Sequence, residues 1–280
     1  MNLIEYAGAW LENYKLNIIK PTTYRNYEYA IELCKKVMQC EEIENITTLT
    51  VQRAFVKLYE LGYAKNTITI VKRMLSQLAE QAVAEGKLGC NCVKKAAIPH
   101  LASEKHISGY SEGELAALIK AASVDVQGDP ILFLIYTGLR RCELLELRWE
   151  DYNSRDSIIR ITNSKTDNGI REVALSVNAE RILRRQPVRE HGYIFSTTKG
   201  APLSITSLKK TCRRLRKATS NNRITLHRCR HTFCSMLSDK GVSPKIIAEL
   251  AGHSNVAFTM QRYVHPSREL KRQAVLLLDN

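Results

Sequence analysis

The sequence predicts a mainly α-helical fold with a small antiparallel β-sheet, divided into two domains. Apolar residues recur at three- and four-residue steps along most of the chain, as amphipathic helices require. Two short runs rich in β-branched residues, SIIRIT and REVALS, interrupt that period and enclose an Asn-Gly turn signal. Together these patterns indicate an α+β fold with one hairpin.

The first domain is predicted over residues 1–87. Four helical patterns follow one another there: LIEYAGAWLENYKL, TTYRNYEYAIELCKKVM, LTVQRAFVKLYELG and KNTITIVKRMLSQLAEQAVAEG. The last pattern ends near Gly86. Residues 88–106 have mixed polarity, a proline and no sustained period, which predicts an interdomain linker.

The second domain is predicted over residues 107–280. Ser111 and Glu114 have the spacing of a capping box, which predicts the start of a new helix. Two further helices are expected to join at Thr137-Gly138, and HGYIFS is expected to place Tyr193 in a buried strand. From residue 203 to residue 278 the period is helical, with breaks at Asn221-Asn222, Gly241, Pro244, Gly252 and Pro266.

Composition limits the classes of protein to which the chain can belong. The chain has 280 residues, 44% hydrophobic and 25% charged, as is ordinary for a globular protein. It has no apolar run of about 20 residues and no signal-peptide layout, so we expect a cytoplasmic protein without membrane contact. Its eight cysteines are scattered without a CxxC pair, which favours reduced thiols over a metal site.

The charge is informative about the partner. The net charge is +14; residues 1–106 carry 14 basic and 11 acidic side chains, whereas residues 107–280 carry 28 and 17. Such an excess attracts polyanions, so phosphate contacts are expected mainly in the second domain. A merely well-solvated basic surface is the alternative that charge alone leaves open.

Three short segments concentrate residues suited to catalysis: TGLRRCEL (137–144), LHRCRH (226–231) and LAGH (250–253), the last followed ten residues later by Tyr263. Helical spacing places His227, Arg230 and His231 on one face. Cationic or protonatable groups so close together repel one another unless an anion lies between them. The pattern therefore indicates an anion site.

These segments resemble the Arg, His-x-x-Arg and Gly-His motifs, with a downstream Tyr, of the tyrosine recombinase (phage integrase) family. All six catalytic positions of that family find a match in order. The resemblance covers 107–280 as a catalytic domain, and the helical N-terminal part is similar to the family's SAM-like core-binding domain. It implies a C-shaped two-domain clamp around duplex DNA.

The resemblance also implies a role for each matched residue. Arg140 and Arg230 would clamp the phosphate, His227 and His253 would be activators and hydrogen-bond donors, Lys165 would be the general acid and Tyr263 the nucleophile. On chemical grounds His227 is the candidate base. His231 and Glu143 would support these groups. Cys229 and Ala251 stand where the family usually has leucine, apolar exchanges expected to affect packing more than chemistry.

Physical chemistry supports the same scheme. Attack on a phosphodiester builds negative charge on the non-bridging oxygens, and guanidinium forks match that charge. A tyrosine hydroxyl, with a pKa of about 10, needs a base or nearby cations to become a nucleophile. A phosphotyrosyl ester keeps the energy of the cut bond, so neither ATP nor another cofactor is expected. The absence of a GxxxxGK[ST] loop and of a compact acidic cluster disfavours NTPase and metal-nuclease classes.

Several assignments keep open alternatives. Lys165 could be an ordinary turn lysine, with Arg171 as a rival cation, and Tyr263 is one of twelve tyrosines. His231 could serve only its helix. The C-terminal HPSRELKRQAVLLLDN is an amphipathic helix that could pack on its own domain or dock on the next protomer.

The resulting expectation is a site-specific recombinase or integrase that cuts and rejoins double-stranded DNA through a 3′-phosphotyrosyl intermediate. It would act as a homotetramer on two sites, with room for accessory excision or DNA-bending proteins. No arm-binding domain fits ahead of residue 1, which indicates a two-domain recombinase or a truncated chain. The alternatives are a type IB topoisomerase, a non-catalytic DNA-binding regulator and a phosphate-binding structural protein.

Overall fold

The computed structural model describes residues 1–38, 41–99, 109–162, 169–187, 191–253 and 256–263, together with residues 272, 275 and 276. The chain divides into two compact units, Met1–Glu104 and Lys105–Asn280, and each is described by itself. The architecture is mostly helical with one small antiparallel sheet, which confirms the predicted fold class.

The first unit is a bundle of four helices: α1 (Leu3–Lys15), α2 (Pro21–Met38), α3 (Thr48–Glu60) and α4 (Lys65–Ala84). Their bounds lie within two residues of the predicted ones. Helix α2 packs against α1, α3 and α4, so it lies at the centre of the bundle. The bundle owes this arrangement to apolar stripes that each helix buries on one side.

The core of the first unit is aromatic where α1 meets α2. The rings of Trp10 and Tyr27 stack with their centroids 6.0 Å apart. Part of the segment expected as a linker also packs here: Val93 is buried, and the Gln52 side chain both donates to and accepts from the backbone of Ala97. Backbone that is tied down in this way contributes to the unit instead of spanning solvent.

The second unit begins with α5 (Glu112–Val124). The Oγ of Ser111 accepts from the N–H of Glu114, and the Glu114 carboxylate accepts from the N–H of Ser111, so the predicted capping box is present. Helix α6 (Asp129–Thr137) is apolar all round and buried. It packs against α5 and against three later helices, α8 (Val177–Arg184), α9 (Ile205–Thr219) and α10 (Leu226–Asp239). Gly138 ends it, and α7 (Arg141–Glu146) follows, as predicted.

A three-stranded antiparallel sheet in the order β1-β2-β3 follows α7. The strands are β1 (Tyr152–Asn153), β2 (Ile158–Ile161) and β3 (Arg171–Ala174). Ile159 pairs with Val173, and both are fully buried, so one face of the hairpin closes the core. The hairpin was predicted, but β1 was not, because two residues are too short to show alternation.

The predicted strand through Tyr193 is wrong. Tyr193 makes a single isolated bridge with Arg148, and its ring lies 4.7 Å under that residue's guanidinium carbon. Only the next two residues, Ile194 and Phe195, enter the core. A short apolar run looks the same in a buried loop as in a strand, which explains the error.

The remaining helices are α8 (Val177–Arg184), α9 (Ile205–Thr219), α10 (Leu226–Asp239), α11 (Pro244–Ala251) and α12 (Val256–Tyr263). The last four are separated at the predicted breaks; Pro266 lies outside the described residues, and α8 was not predicted. No helix in the described part of the chain is long and apolar enough to cross a bilayer.

Gly138 is held in a conformation that suits only glycine. Its φ is +65°, and a Cβ built on it would lie 2.3 Å from a ring carbon of Phe233 on α10. The left-handed backbone costs any residue with a Cβ roughly 1–2 kcal/mol, and the ring leaves no room for one. Glycine at this position therefore allows α6 and α10 to pack closely.

Gly138→Ala should lower the free energy of unfolding by ~1–3 kcal/mol more than Gly241→Ala does, since overpacking adds to the backbone cost. Gly241 is the matched control because its φ is +76° and no atom lies within 4 Å of a built Cβ. Urea unfolding followed by circular dichroism measures both. Equal losses in the two variants would show that the Phe233 ring moves away freely.

Candidate active site

The first catalytic segment folds around the buried carboxylate of Glu143. Its Oε2 accepts from the backbone N–H of Arg140 at 2.7 Å, which caps the start of α7. Its Oε1 accepts from Nη1 of Arg140 at 2.6 Å. Nη2 of Arg140 also donates to the carbonyl of Gly252. The guanidinium of Arg140 is thereby fixed by two partners while its side chain stays about one-third exposed.

Arg171, the first residue of β3, binds the same carboxylate from the other side. Its Nη1 and Nη2 donate to Oε1 and Oε2 of Glu143 at 3.1 and 3.0 Å. Its Nε donates to the carbonyl of Leu250 at 2.8 Å, and Nη1 also donates to the carbonyl of Gly169. The side chain is only 8% exposed. Arg171 thus joins β3 to α7 and to the end of α11.

Glu143 is ionised in this setting. Burial acts to raise its pKa, but the hydrogen bonds and charge of Arg171, together with those from Arg140, outweigh burial and hold the pKa below its ordinary value. Its side chain is 3% exposed. A buried carboxylate between two guanidinium groups satisfies most of its hydrogen-bonding capacity, as a buried charge must.

Arg230 on α10 is the most deeply buried cation of the site. It is 4% exposed, and its Nη1 donates to the carbonyl of Gly138 at 3.0 Å. No carboxylate of the described residues lies within ion-pair distance of it. Burial, followed by the positive charge of Arg140, lowers its pKa to about 10. The guanidinium therefore stays charged at neutral pH at a free-energy cost that an anion would relieve.

The start of α10 carries the two histidines that the sequence placed on one face with Arg230. The rings of His227 and His231 meet edge to face with their centroids 4.3 Å apart. His227 is exposed in the first turn, whereas His231 lies in the interior. Thr225 caps the helix by accepting from the N–H of Arg228. The positive end of α10 is a favourable place for an anion.

Tyr110 fastens the segment that enters the second unit onto the same helix. Its N–H donates to Oγ1 of Thr232 at 3.1 Å, and its hydroxyl accepts from the N–H of Thr225 at 3.3 Å. The guanidinium of Arg228 lies 5.8 Å from the centre of its ring. Tyr110 therefore contacts α10 at its cap and two turns further on.

The end of α11 presents His253. Gly252 ends the helix with φ +67°, and a Cβ on it would lie 2.7 Å from Nη1 of Arg171 and 3.1 Å from Nη1 of Arg140. Glycine is thus needed for both the backbone and the space. Nδ1 of His253 is hydrogen-bonded to the hydroxyl of Thr259 on α12 at 2.8 Å.

His253 is neutral at physiological pH. Burial, with the charges of Arg230, Arg140 and Arg171, lowers its pKa to about 4. The fully buried Thr259 lies on α12, and Tyr263 ends that helix one turn beyond it. The side chain of Tyr263 lies outside the described residues, and so does the whole of Lys165.

These segments surround one pocket of about 850 Å³. Of its thirteen lining residues, six are cations, two are His227 and His253, and the other five are uncharged; no acidic residue occurs among the described residues that line it. The cations are Arg140, Arg141, Lys209, Arg213, Arg216 and Arg230. No group of acidic residues, histidines and cysteines in the described ranges is arranged to hold a metal ion. The pocket suits a strongly anionic ligand.

Helix α9 contributes a cationic wall that the sequence motifs did not single out. Lys209, Arg213 and Arg216 follow one another at four- and three-residue steps and all line the pocket, so they form one stripe. Arg216 is anchored by its Nε, which donates to the carbonyl of Ile224 at 2.8 Å. The helix has six basic residues and no acidic one, a signal visible in the sequence.

The structure brings four of the six residues assigned from the motifs to one pocket: Arg140, His227, Arg230 and His253. The two supporting residues lie behind them, Glu143 beneath Arg140 and His231 against His227. Arg171, which the sequence offered as a rival of Lys165, is held by Glu143 instead. Motif order could not reveal that role, because the contact joins residues far apart in the chain.

Two family models match the chain. The model of the phage integrase family matches residues 111–269, and that of the phage integrase N-terminal SAM-like domain matches residues 3–59. The first alone covers more than half of the chain. The chain therefore belongs to the phage integrase family, and it is a tyrosine site-specific recombinase.

Relatives of 25–28% identity support the same family assignment. The chain is 28% identical to a tyrosine recombinase XerC-like protein of Caldanaerobacter subterraneus subsp. tengcongensis, covering 100% of this chain and 83% of the relative. It is 27% identical to the tyrosine recombinase XerD of Corynebacterium glutamicum, covering 95% of each. It is 25% identical to the transposase of transposon Tn916 from Enterococcus faecalis, covering 90% and 72%.

Solved structures show the same fold. The Tn1549 transposon integrase in complex with circular intermediate DNA matches with a TM-score of 0.83 at 19% identity, covering 98% of this chain and 99% of that one. A λ integrase tetramer bound to a Holliday junction matches with a TM-score of 0.77 at 21% identity, covering 93% and 77%. At these identities the likeness concerns the fold alone.

The pKa of His253 should lie near 4, well below the ordinary 6.5, when its imidazole is titrated by NMR, with His253→Asn used to assign its signal. Because folding lowers this pKa, the associated stability is complete above pH 6.5 and is lost as the pH falls towards 4. A midpoint at 6 or above would show that His253 is not buried among the arginines.

Proposed function

We propose that the pocket of the second unit binds the phosphate of a DNA strand and that Tyr263 attacks it. The observation that carries this proposal is the buried Arg230, a charged guanidinium without a carboxylate partner among the described residues, beside Arg140 in a pocket lined by cations. Removing a charge from water costs several kcal/mol unless it is paired. A phosphodiester would supply the missing negative charge.

Arg140 and Arg230 would hold the non-bridging oxygens of that phosphate. Arg140 is already oriented by Glu143 and the Gly252 carbonyl, and Arg230 by the Gly138 carbonyl. Donors fixed before the reaction need no reorganisation when charge develops on the pentacoordinate phosphorus. The clamp would thus bind the transition state more strongly than the ground state.

His253 would be a neutral hydrogen-bond donor in this scheme. If the hydroxyl of Thr259 donates to Nδ1, the proton of the imidazole resides on Nε2, which can then donate to a phosphate oxygen. The low pKa keeps the imidazole neutral, with a single N–H. His253 therefore adds a donor without adding a third full charge to the clamp.

Tyr263 would be the nucleophile and His227 the base that takes its proton. The Tyr263 oxygen forms a bond to phosphorus as the bond from phosphorus to the 5′ oxygen breaks, giving a 3′-phosphotyrosyl ester. Lys165 would give its proton to the departing 5′ oxygen. A 5′ hydroxyl from another strand then reverses the step, which completes the exchange.

The two units would act together on duplex DNA. We assign residues 1–87, with the part of 88–106 that packs on them, as a core-binding domain and 107–280 as the catalytic domain. The stripe on α9 would contact phosphates that flank the cut. Because recombination exchanges strands between two duplexes, the working assembly would be a homotetramer on two sites. The structure of a λ integrase tetramer bound to a Holliday junction supports this proposal.

Tyr263→Phe should abolish covalent attachment to DNA while DNA affinity changes by only a few fold, since the lost hydroxyl forms the new bond. Denaturing capture of protein-linked DNA from cells expressing the chain, followed by sequencing of the linked ends, measures the attachment. Tyr193→Phe is the control, because Tyr193 lies outside the pocket against Arg148. Linked DNA from Tyr263→Phe would disprove the nucleophile, and none from the wild type would favour a binding protein.

Arg140→Ala and Arg230→Ala should each slow single-turnover cleavage of the captured site on the order of 100-fold or more, as the loss of a principal oxyanion donor does. Arg148→Ala is the matched control, an arginine of the same unit that lies on the Tyr193 ring. Rates come from denaturing gels of a labelled duplex. A less than threefold effect in both pocket variants would refute the clamp.

A further inference from the structure

We infer that Arg171 is a positioning residue that locks three separate segments of the site into one unit. The inference rests on the function proposed above and adds a residue to it. Arg171 is neither in the motifs nor among the residues that line the pocket. Its importance follows from its contacts alone.

The first segment that Arg171 holds is the start of α7. Two of its nitrogens grip both oxygens of Glu143, and the same carboxylate orients Arg140 through its backbone and its guanidinium. Without Arg171, Glu143 would be a buried carboxylate with one cation instead of two. Its geometry, and hence that of Arg140, would no longer be fixed from both sides.

The second segment is the C-terminal end of α11. Nε of Arg171 donates to the Leu250 carbonyl, one of the last carbonyls of the helix, which have no partner within it. Arg140 holds the Gly252 carbonyl two residues later. The two guanidinium groups therefore fix the turn that presents His253. The missing Cβ of Gly252 is what lets both approach.

The third segment is the base of the hairpin. Arg171 is the first residue of β3, and its Nη1 also donates to the Gly169 carbonyl just before that strand. Lys165 lies four residues ahead of Gly169. Arg171 thus ties the strand that follows the proposed general acid to the two segments that carry Arg140 and His253.

Arginine is required for this role because lysine cannot span the same acceptors. Arg171 uses three nitrogens in a planar fork on Glu143, Leu250 and Gly169, whereas an ammonium is a single point. Arg171→Lys should therefore keep the positive charge but lose the ability to bond all three acceptors at the same time. Its behaviour should resemble that of Arg171→Ala more than that of the wild type.

Arg171→Lys and Arg171→Ala are tested with two readouts. The first, hydrogen–deuterium exchange, needs no chemistry and covers residues 244–253, where the His253 N–H is bonded to the Ala248 carbonyl. The second is single-turnover cleavage of the captured DNA site together with DNA affinity. Arg160→Ala is the matched control, since Arg160 lies on the same hairpin in an exposed pair with Glu172.

We expect exchange over 244–253 to rise about tenfold in Arg171→Lys and cleavage to slow ~10–100-fold, with DNA affinity within threefold, because a small misplacement of catalytic groups lowers the rate steeply. Arg160→Ala should change neither. Wild-type exchange in a folded Arg171→Lys, or its cleavage at the wild-type rate, would overturn the inference. If the wild type does not cleave, the proposed chemistry fails, and exchange still decides the positioning role.

Discussion

The site depends on one buried charge, the carboxylate of Glu143. It accepts from the backbone and side chain of Arg140 and from two nitrogens of Arg171, so it fixes both guanidinium groups at once. Breaking a buried ion pair by removing one partner costs roughly 3–5 kcal/mol, because the other charge stays uncompensated. That penalty is what forces α7, β3 and the end of α11 to meet in a single arrangement.

The three buried or half-buried arginines differ in how their positive charge is balanced. Arg140 and Arg171 share a carboxylate, which offsets much of their charge, whereas Arg230 has only the Gly138 carbonyl among its described partners. The protein therefore carries an excess of positive charge at one point, and it tolerates that excess because α6 and α10 hold Arg230 in place. In the proposed function, a bound phosphate would recover part of the free-energy cost of burying that charge.

Local signals in the sequence were enough for most of the fold. The capping box at Ser111, the break at Gly138 and the end of α11 at Gly252 each depend on residues a few positions apart, so a single sequence contains them. The ordered motifs likewise placed Arg140, His227, Arg230 and His253 together. Arg171 and Thr259 escaped notice because their roles arise from tertiary contacts. The prediction of a strand through Tyr193 failed because a short apolar run does not distinguish a buried strand from a buried loop.

The attachment of Tyr110 to α10 restricts how the start of that helix can move. Tyr110 accepts a hydrogen bond from Thr225 at the helix cap and donates one to Thr232 two turns later, so it is bonded to both ends of the first two turns. The first turns of α10, which carry His227 and Arg230, therefore cannot shift without straining the hydrogen bonds of Tyr110. Although Tyr110 does not line the pocket, it is a remote determinant of the pocket's shape.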